Sequence, residues 1–224
     1  MLPQRLLKFQ PSIENHHREL MANPDVQPIR YYRETWEKHF DADADFADVA
    51  GRYPQTVSRG NLQELSREAH EDSAQARKLF LAAMLWGYGT SGYGAWRTRK
   101  MTASLEQDAE LLADTFANIR LGGLLAAHQD FGFQRKLERC GEAFFTKFFY
   151  AIALGTEIRP MALVLDSRVR YSLNELARIG ELKYSGDYLE YIQLMDGWAR
   201  ELNCRADAIE MSLFQPPPEF YESA

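Results

Sequence analysis

The chain has 224 residues, 46% of them hydrophobic, and a formal net charge of −6. That composition supports a sizeable buried core but gives no overall positive field, so nucleic-acid binding would need a local basic patch and anionic membranes are poor partners. The two cysteines, Cys140 and Cys204, form no C-x-x-C pair or Cys/His cluster, the start lacks an apolar h-region, and no stretch of about 18 apolar residues occurs; a soluble cytoplasmic protein without metal or cofactor is expected.

Residues 1–30 carry prolines at 3, 11, 24 and 28 and little periodicity, and read as an extended N-terminal arm. A single helical domain is expected over 31–215 and a tail over 216–224. "RYYRETWEKHF" reads as a short helix, and "DADADFADVAGRYP" as an acidic loop or short turn closed by Gly51 and Pro54. In "GNLQELSREAHED", Asn61 stands at an N-cap with Glu64 at the capping-box position. "SAQARKLFLAAMLWGYG" carries Ala76, Leu79, Phe80, Ala83, Met84 and Gly87 on one helical face, ended by glycine.

"SLEQDAELLADTFANI" opens with Ser104 and Gln107 as a capping box, and Gly122-Gly123 breaks the chain beyond it. "GEAFFTKFFYAIALG" is a helix bounded by Gly141 and Gly155. After the apolar link "TEIRPMALVL", stiffened by Pro160, "DSRVRYSLNELARIG" places Val169, Leu173, Leu176 and Ala177 on one face. The helices "DYLEYIQLMDGWAREL" and "RADAIEMSLFQ" complete the chain. Alternating segments, hairpin dipeptides and internal repeats are absent, so the fold class is all-α.

"LWGYGTSGYGAW" contains G-x-G-x-x-G at Gly87, Gly89 and Gly92. The match has dinucleotide-binding meaning only after a parallel strand, and the preceding "KLFLAAMLW" lacks β-branched residues and reads as helix. What remains is a mobile glycine-rich loop holding Trp86, Tyr88, Tyr93 and Trp96 beside Arg97, Arg99 and Lys100. Such aromatic faces beside cations can stack a base and hold a phosphate, or can anchor a connector in the core.

Lys147 stands in an apolar helix, with Ala143, Phe144, Tyr150 and Ala151 three and four positions away. Desolvation disfavours the charged form of a lysine and makes the amine a usable nucleophile; snorkelling to solvent is the alternative. Asp166 ends "MALVL" and begins the next helix, where an aspartate is an ordinary N-cap worth about 1 kcal/mol. A capping carboxylate stays ionised and can also stabilise developing positive charge. His16, His17, His39, His70 and His128 have no partners at metal-ligand spacing.

The Thr146-Lys147 pair in a helix, nineteen residues before an aspartate that follows a proline-containing apolar link and caps a helix, resembles the helix-hairpin-helix DNA glycosylases, most closely the 8-oxoguanine DNA glycosylases. The resemblance covers roughly residues 60–215. It implies a helix-hairpin-helix glycosylase-like helical domain, a Lys147 that attacks the sugar C1′ and an Asp166 that assists. It also implies base contacts from the end of the "LFLAAMLW" helix and its following loop (Trp86, Tyr88, Gly89, Tyr93, Trp96, Arg97) and from Glu210 and Phe214 on the last helix. The implied activity is excision of an oxidised or modified purine such as 8-oxoguanine from DNA, with abasic-site lyase activity.

The chain is also similar to a small bacterial family found in antiphage defence operons, which implies other proteins of such operons as partners. Two departures from the glycosylase pattern stand out. The family's glycine-x-glycine hairpin turn is reduced to Gly141 in "ERCGEAFFTK", which weakens the expected phosphate grip. Arg168 stands where the family often has a histidine, and can take over a phosphate contact. A protein that recognises a modified guanine, a nucleotide or a partner without excising a base is the alternative, and a helical interaction protein with a Lys/Asp ion pair is a third.

Overall fold

Leu79 to Leu85 are 0% exposed at every position, so the helix that carries them is covered on all sides and not along one stripe. In the computed structural model, which describes residues 6–23, 25–71, 75–105, 110–177 and 188–216, this helix is α5, Ala76–Tyr88. Among the described residues there are twelve α-helices and one two-residue pairing, β1 (Ile29–Arg30) antiparallel to β2 (Thr56–Val57) with Ile29 opposite Val57. The fold is all-α. It divides into two compact units, one of residues 25–158 and one of residues 1–24 with 159–224.

In the unit of residues 25–158, α2 (Arg33–Phe40), α3 (Ala44–Arg52) and α4 (Arg59–Glu71) precede α5, followed by α6 (Gly92–Ser104), α7 (Leu111–Arg120), α8 (Leu124–Gln129), a π-helical turn (Asp130–Gln134) and α9 (Glu142–Leu154). The helix α5 packs against α3, α4, α6, α7 and α9. Its Phe80 meets Phe148 of α9 edge-on at 5.4 Å, and Phe131, Phe145 and Phe149 extend the aromatic core. As expected, α9 lies between glycines, with Gly141 as N-cap and Gly155 as C-cap. Gly122 breaks the chain after α7 at φ +80°.

The other unit contains a 3-10 turn (Leu6–Phe9), α1 (Gln10–Ala22), α10 (Ser167–Ala177), α11 (Tyr188–Leu202) and α12 (Ala206–Phe214). The link 161–165 has no regular secondary structure and is buried. Buried carbonyls outside regular structure need donors, and Tyr188 and Tyr191 of α11 supply hydroxyls to Leu163 O (2.8 Å) and Val164 O (2.9 Å). Asp207, wholly buried, is held by two hydrogen bonds from the Arg205 guanidinium.

Several local readings change. The expected extended arm is helical over Gln10–Ala22, because Pro11 falls in the first turn, where its missing N–H costs nothing. The expected acidic loop is α3, whose cap is Asp43, its carboxylate accepting from Phe46 N at 3.0 Å. Burial pushes the pKa of that carboxyl up, but the hydrogen bonds from Arg77 and Phe46 outweigh it and hold the group below the usual carboxylate range. The capping box before α4 lies three residues upstream of the expected one. Ser58 Oγ accepts from Asn61 N and Asn61 Oδ1 accepts from Ser58 N, so Asn61 is the reciprocal partner and Ser58 the cap. Ser104 ends α6 and does not open α7; Gln107 and the side chains of Leu176 and Ala177 lie outside the described residues.

The largest revision concerns the glycine-rich stretch. It is no long mobile loop: α5 runs through Tyr88, α6 begins at Gly92, and only residues 89–91 turn between them, with Gly89 at φ +54°. Gly94 serves packing. A Cβ there would stand 2.5 Å from the Tyr88 side chain, so close approach of the two helices fixes the residue type.

Candidate active site

In the unit of residues 25–158 the site is built on the facing surfaces of α5 and α9. Lys147 is 9% exposed on α9, and its Nζ donates to Ala143 O, one turn back, at 3.0 Å. The ammonium position lies 5.5 Å from the centroid of the Phe144 ring. The stem crosses apolar surroundings as expected, but it does not snorkel outward.

Trp86, Gly87 and Tyr88, consecutive on α5, carry the other wall. Trp86 stacks with Tyr150 at 6.0 Å, and the buried Arg59 guanidinium lies over both rings, 5.2 Å and 4.8 Å from their centroids. Arg59 hydrogen-bonds Tyr150 Oη and also donates to Gln27 Oε1 through Nη2 at 3.1 Å. Gln27 sits at φ +53°, so local backbone strain is accepted to deliver that acceptor. Tyr88 stacks on Phe144 at 4.2 Å with 18° between planes, and burial pushes its phenol pKa well up. Trp86 Nε1 and Tyr88 Oη are buried and have no hydrogen-bond partner among the described residues. Such atoms mark places where a polar ligand group would be welcome.

A second cluster occupies α6 and the segment 135–141 before α9. Tyr93, 51% exposed, lies 5.1 Å from the half-buried Trp96, and the Arg139 guanidinium covers Trp96 at 4.8 Å. Arg97 covers Phe144 at 4.8 Å and donates through Nε to Arg139 O at 2.9 Å. Tyr93, Trp96 and Arg97 therefore share one face of a helix, three and four residues apart, and sit on no loop. Gly89 is the C-cap of α5, where a Cβ would stand 2.9 Å from Ile29 Cγ2.

Asp166 belongs to the other unit. It caps α10, with Oδ1 accepting from Arg168 N (3.0 Å) and Val169 N (3.1 Å). Burial above all, and then Glu210, Tyr188 and Asp166, raise the pKa of Tyr191. Glu210 is 3% exposed on α12, a carboxylate enclosed by protein. Arg168 extends over the Phe214 ring at 5.1 Å, and both line an open groove of about 420 Å³ with Tyr171 and Ser172. The guanidinium thus covers a face of the Phe214 ring, the residue expected from the sequence to meet a base.

Sequence reasoning placed Phe144 and Tyr150 beside Lys147 but passed over their stacking on Tyr88 and Trp86, over Gly87 as a neighbour of Lys147, and over Arg59 and Gln27. One signal was available: Arg59 opens α4, where a cation opposes the helix dipole, so its presence there points to a tertiary role. The stacked rings and the Gly87 contact become visible only when α5 and α9 are brought together.

A family model described as "Putative 8-oxoguanine DNA glycosylase OGG-like protein" matches residues 22–214. No curated protein and no solved structure matches the chain.

Proposed function

The chain belongs to this 8-oxoguanine DNA glycosylase-like family, and from that premise we propose that it excises an oxidised or otherwise modified purine, such as 8-oxoguanine, from DNA, with Lys147 as nucleophile and Asp166 assisting. The observation that carries the reading is the enclosed amine of Lys147, whose Nζ lies over the Phe144 ring and whose stem lies against Gly87, the residue between Trp86 and Tyr88 on α5, whose aromatic rings suit a purine.

The target nucleotide leaves the base stack before reaction. The lone pair of neutral Lys147 attacks C1′, the bond from C1′ to the base nitrogen breaks, and the base departs with that electron pair and takes the proton released by the amine. Asp166, oriented by the backbone amides of Arg168 and Val169, stabilises positive charge at the sugar. Opening of the C1′–O4′ bond, with a proton taken up at O4′, leaves a Schiff base on Nζ. Loss of a C2′ proton then expels the 3′ phosphate, cutting the strand. Arg97, Arg139 and Lys100 supply local positive charge that the net charge of the chain lacks, and Tyr93 and Trp96 offer a stacking surface beside it.

The test is borohydride trapping on duplexes containing 8-oxoguanine or an abasic site. Wild type is expected to form a covalent adduct and Lys147→Gln none. Absence of an adduct with folded wild type on every substrate would overturn the reading and favour a protein that binds a modified guanine without excising it, including one serving antiphage defence.

A further inference from the structure

Gly87 lies in the last turn of α5 without a positive φ, so its backbone conformation is open to any residue. Glycine is the least favourable residue after proline in such a position. The space its missing side chain leaves is filled by one group: a Cβ there would stand 2.6 Å from Lys147 Cδ, 3.1 Å from Cε and 3.9 Å from Cγ, and these are its three nearest contacts. Gly89 differs, needing its positive φ, and so does Gly155, where a Cβ would meet Ser66 and the backbone of Arg67.

We infer that Gly87 is a positioning residue for Lys147: its bare Cα forms the channel along which the lysine stem lies, and this sets where Nζ stands. The inference rests on the reading of Lys147 as nucleophile. With the stem pressed against α5, Nζ turns back along α9 to Ala143 O and over the Phe144 ring. A methyl group at position 87 cannot coexist with Cδ and Cε where they are. The methylenes are the flexible part of that contact, so they yield before either helix does, and the amine moves while the fold stays. A glycine kept only for helix packing would give the opposite pattern, a change in stability with the amine unmoved.

The experiment compares wild type, Gly87→Ala and, as control, Gly51→Ala, whose Cβ would meet nothing within 4 Å. The amine position is read without any reaction, from the ε-methylene signal of Lys147 in protein labelled with ¹³C-lysine, assigned by its loss in Lys147→Gln and shifted by the current of the Phe144 ring. Reactivity is read separately, as the rate of borohydride-trapped adduct on an abasic duplex. In Gly87→Ala the ε signal should move, the trapping rate should fall roughly ten- to a hundred-fold at unchanged DNA affinity, and the melting temperature should stay close to that of Gly51→Ala. An unmoved ε signal, or a trapping rate within about two-fold of wild type, overturns the inference. If wild type forms no adduct, the nucleophile reading fails by itself, and the ε signal still decides whether Gly87 places the lysine.

Discussion

Lys147 depends on long-range packing in a way that Asp166 does not. The Lys147 amine bonds Ala143 O of its own helix, but the walls around it come from residues far away in sequence: Gly87 opposes its stem, Phe144 is stacked by Tyr88, and Arg59 covers Trp86 and Tyr150. The Asp166 carboxylate receives hydrogen bonds from amides two and three residues ahead. Lys147 is placed by packing against another helix as well as by its own backbone, Asp166 by the backbone of its own helix. A change in packing should therefore disturb Lys147 without touching Asp166, while a change of residue type at 166 should register first in the stability of α10.

The comparison can be tested at three further positions, in descending order of expected effect. Replacing Arg59 with Gln removes a buried guanidinium that bonds Tyr150 and Gln27 and covers Trp86, and should cost about 2 kcal/mol in urea unfolding, the range of hydrogen bonds to charged groups. Arg59→Lys should fail to rescue it, since a single ammonium cannot reproduce the planar fork between two rings. A loss below about 0.5 kcal/mol, the size of an ordinary surface change, would mean that the wall of the lysine site does not depend on this cluster.

At Asp166 the two substitutions should separate. Asp166→Ala should lower stability by about 1 kcal/mol through the lost cap, while Asp166→Asn, an equally good cap, should stay within a few tenths. If the carboxylate stabilises charge at the sugar, both variants should slow base excision, Asn included. Equal excision by wild type and Asp166→Asn would confine the residue to capping.

The smallest change is expected from Tyr88→Phe. The hydroxyl is buried without a hydrogen-bond partner among the described residues, so its removal should leave stability unchanged or raise it by up to about 1 kcal/mol. Weaker binding of a modified-purine duplex by this folded variant would show that the hydroxyl meets the ligand; unchanged binding would assign Tyr88 to stacking on Phe144 alone.

The all-α class was legible because apolar residues recur at helical spacing, and the bounds of α9 because glycines flank it. Asp166 as a cap was legible for the same reason: backbone chemistry within three residues decides it. Local rules failed where two readings were both locally sound. Asn61 and Ser58 are each good caps, and only the reciprocal bonds between them identify Ser58. Pro11 reads as a breaker or as a first-turn residue according to whether a helix follows.

The glycine-rich stretch shows the limit most clearly. By composition it reads as a loop, yet Gly87 and Gly94 are helical, one giving room to the Lys147 stem and the other to the Tyr88 ring. By itself the sequence determined the helical class, the apolar setting of Lys147 and the capping position of Asp166, since periodicity, hydrophobicity and backbone hydrogen bonding act over a few residues. Tertiary structure alone decided which way the lysine turns, which rings stack on Phe144 and Tyr150, which cation supports them and why position 87 has no side chain, because those depend on helices distant in sequence meeting.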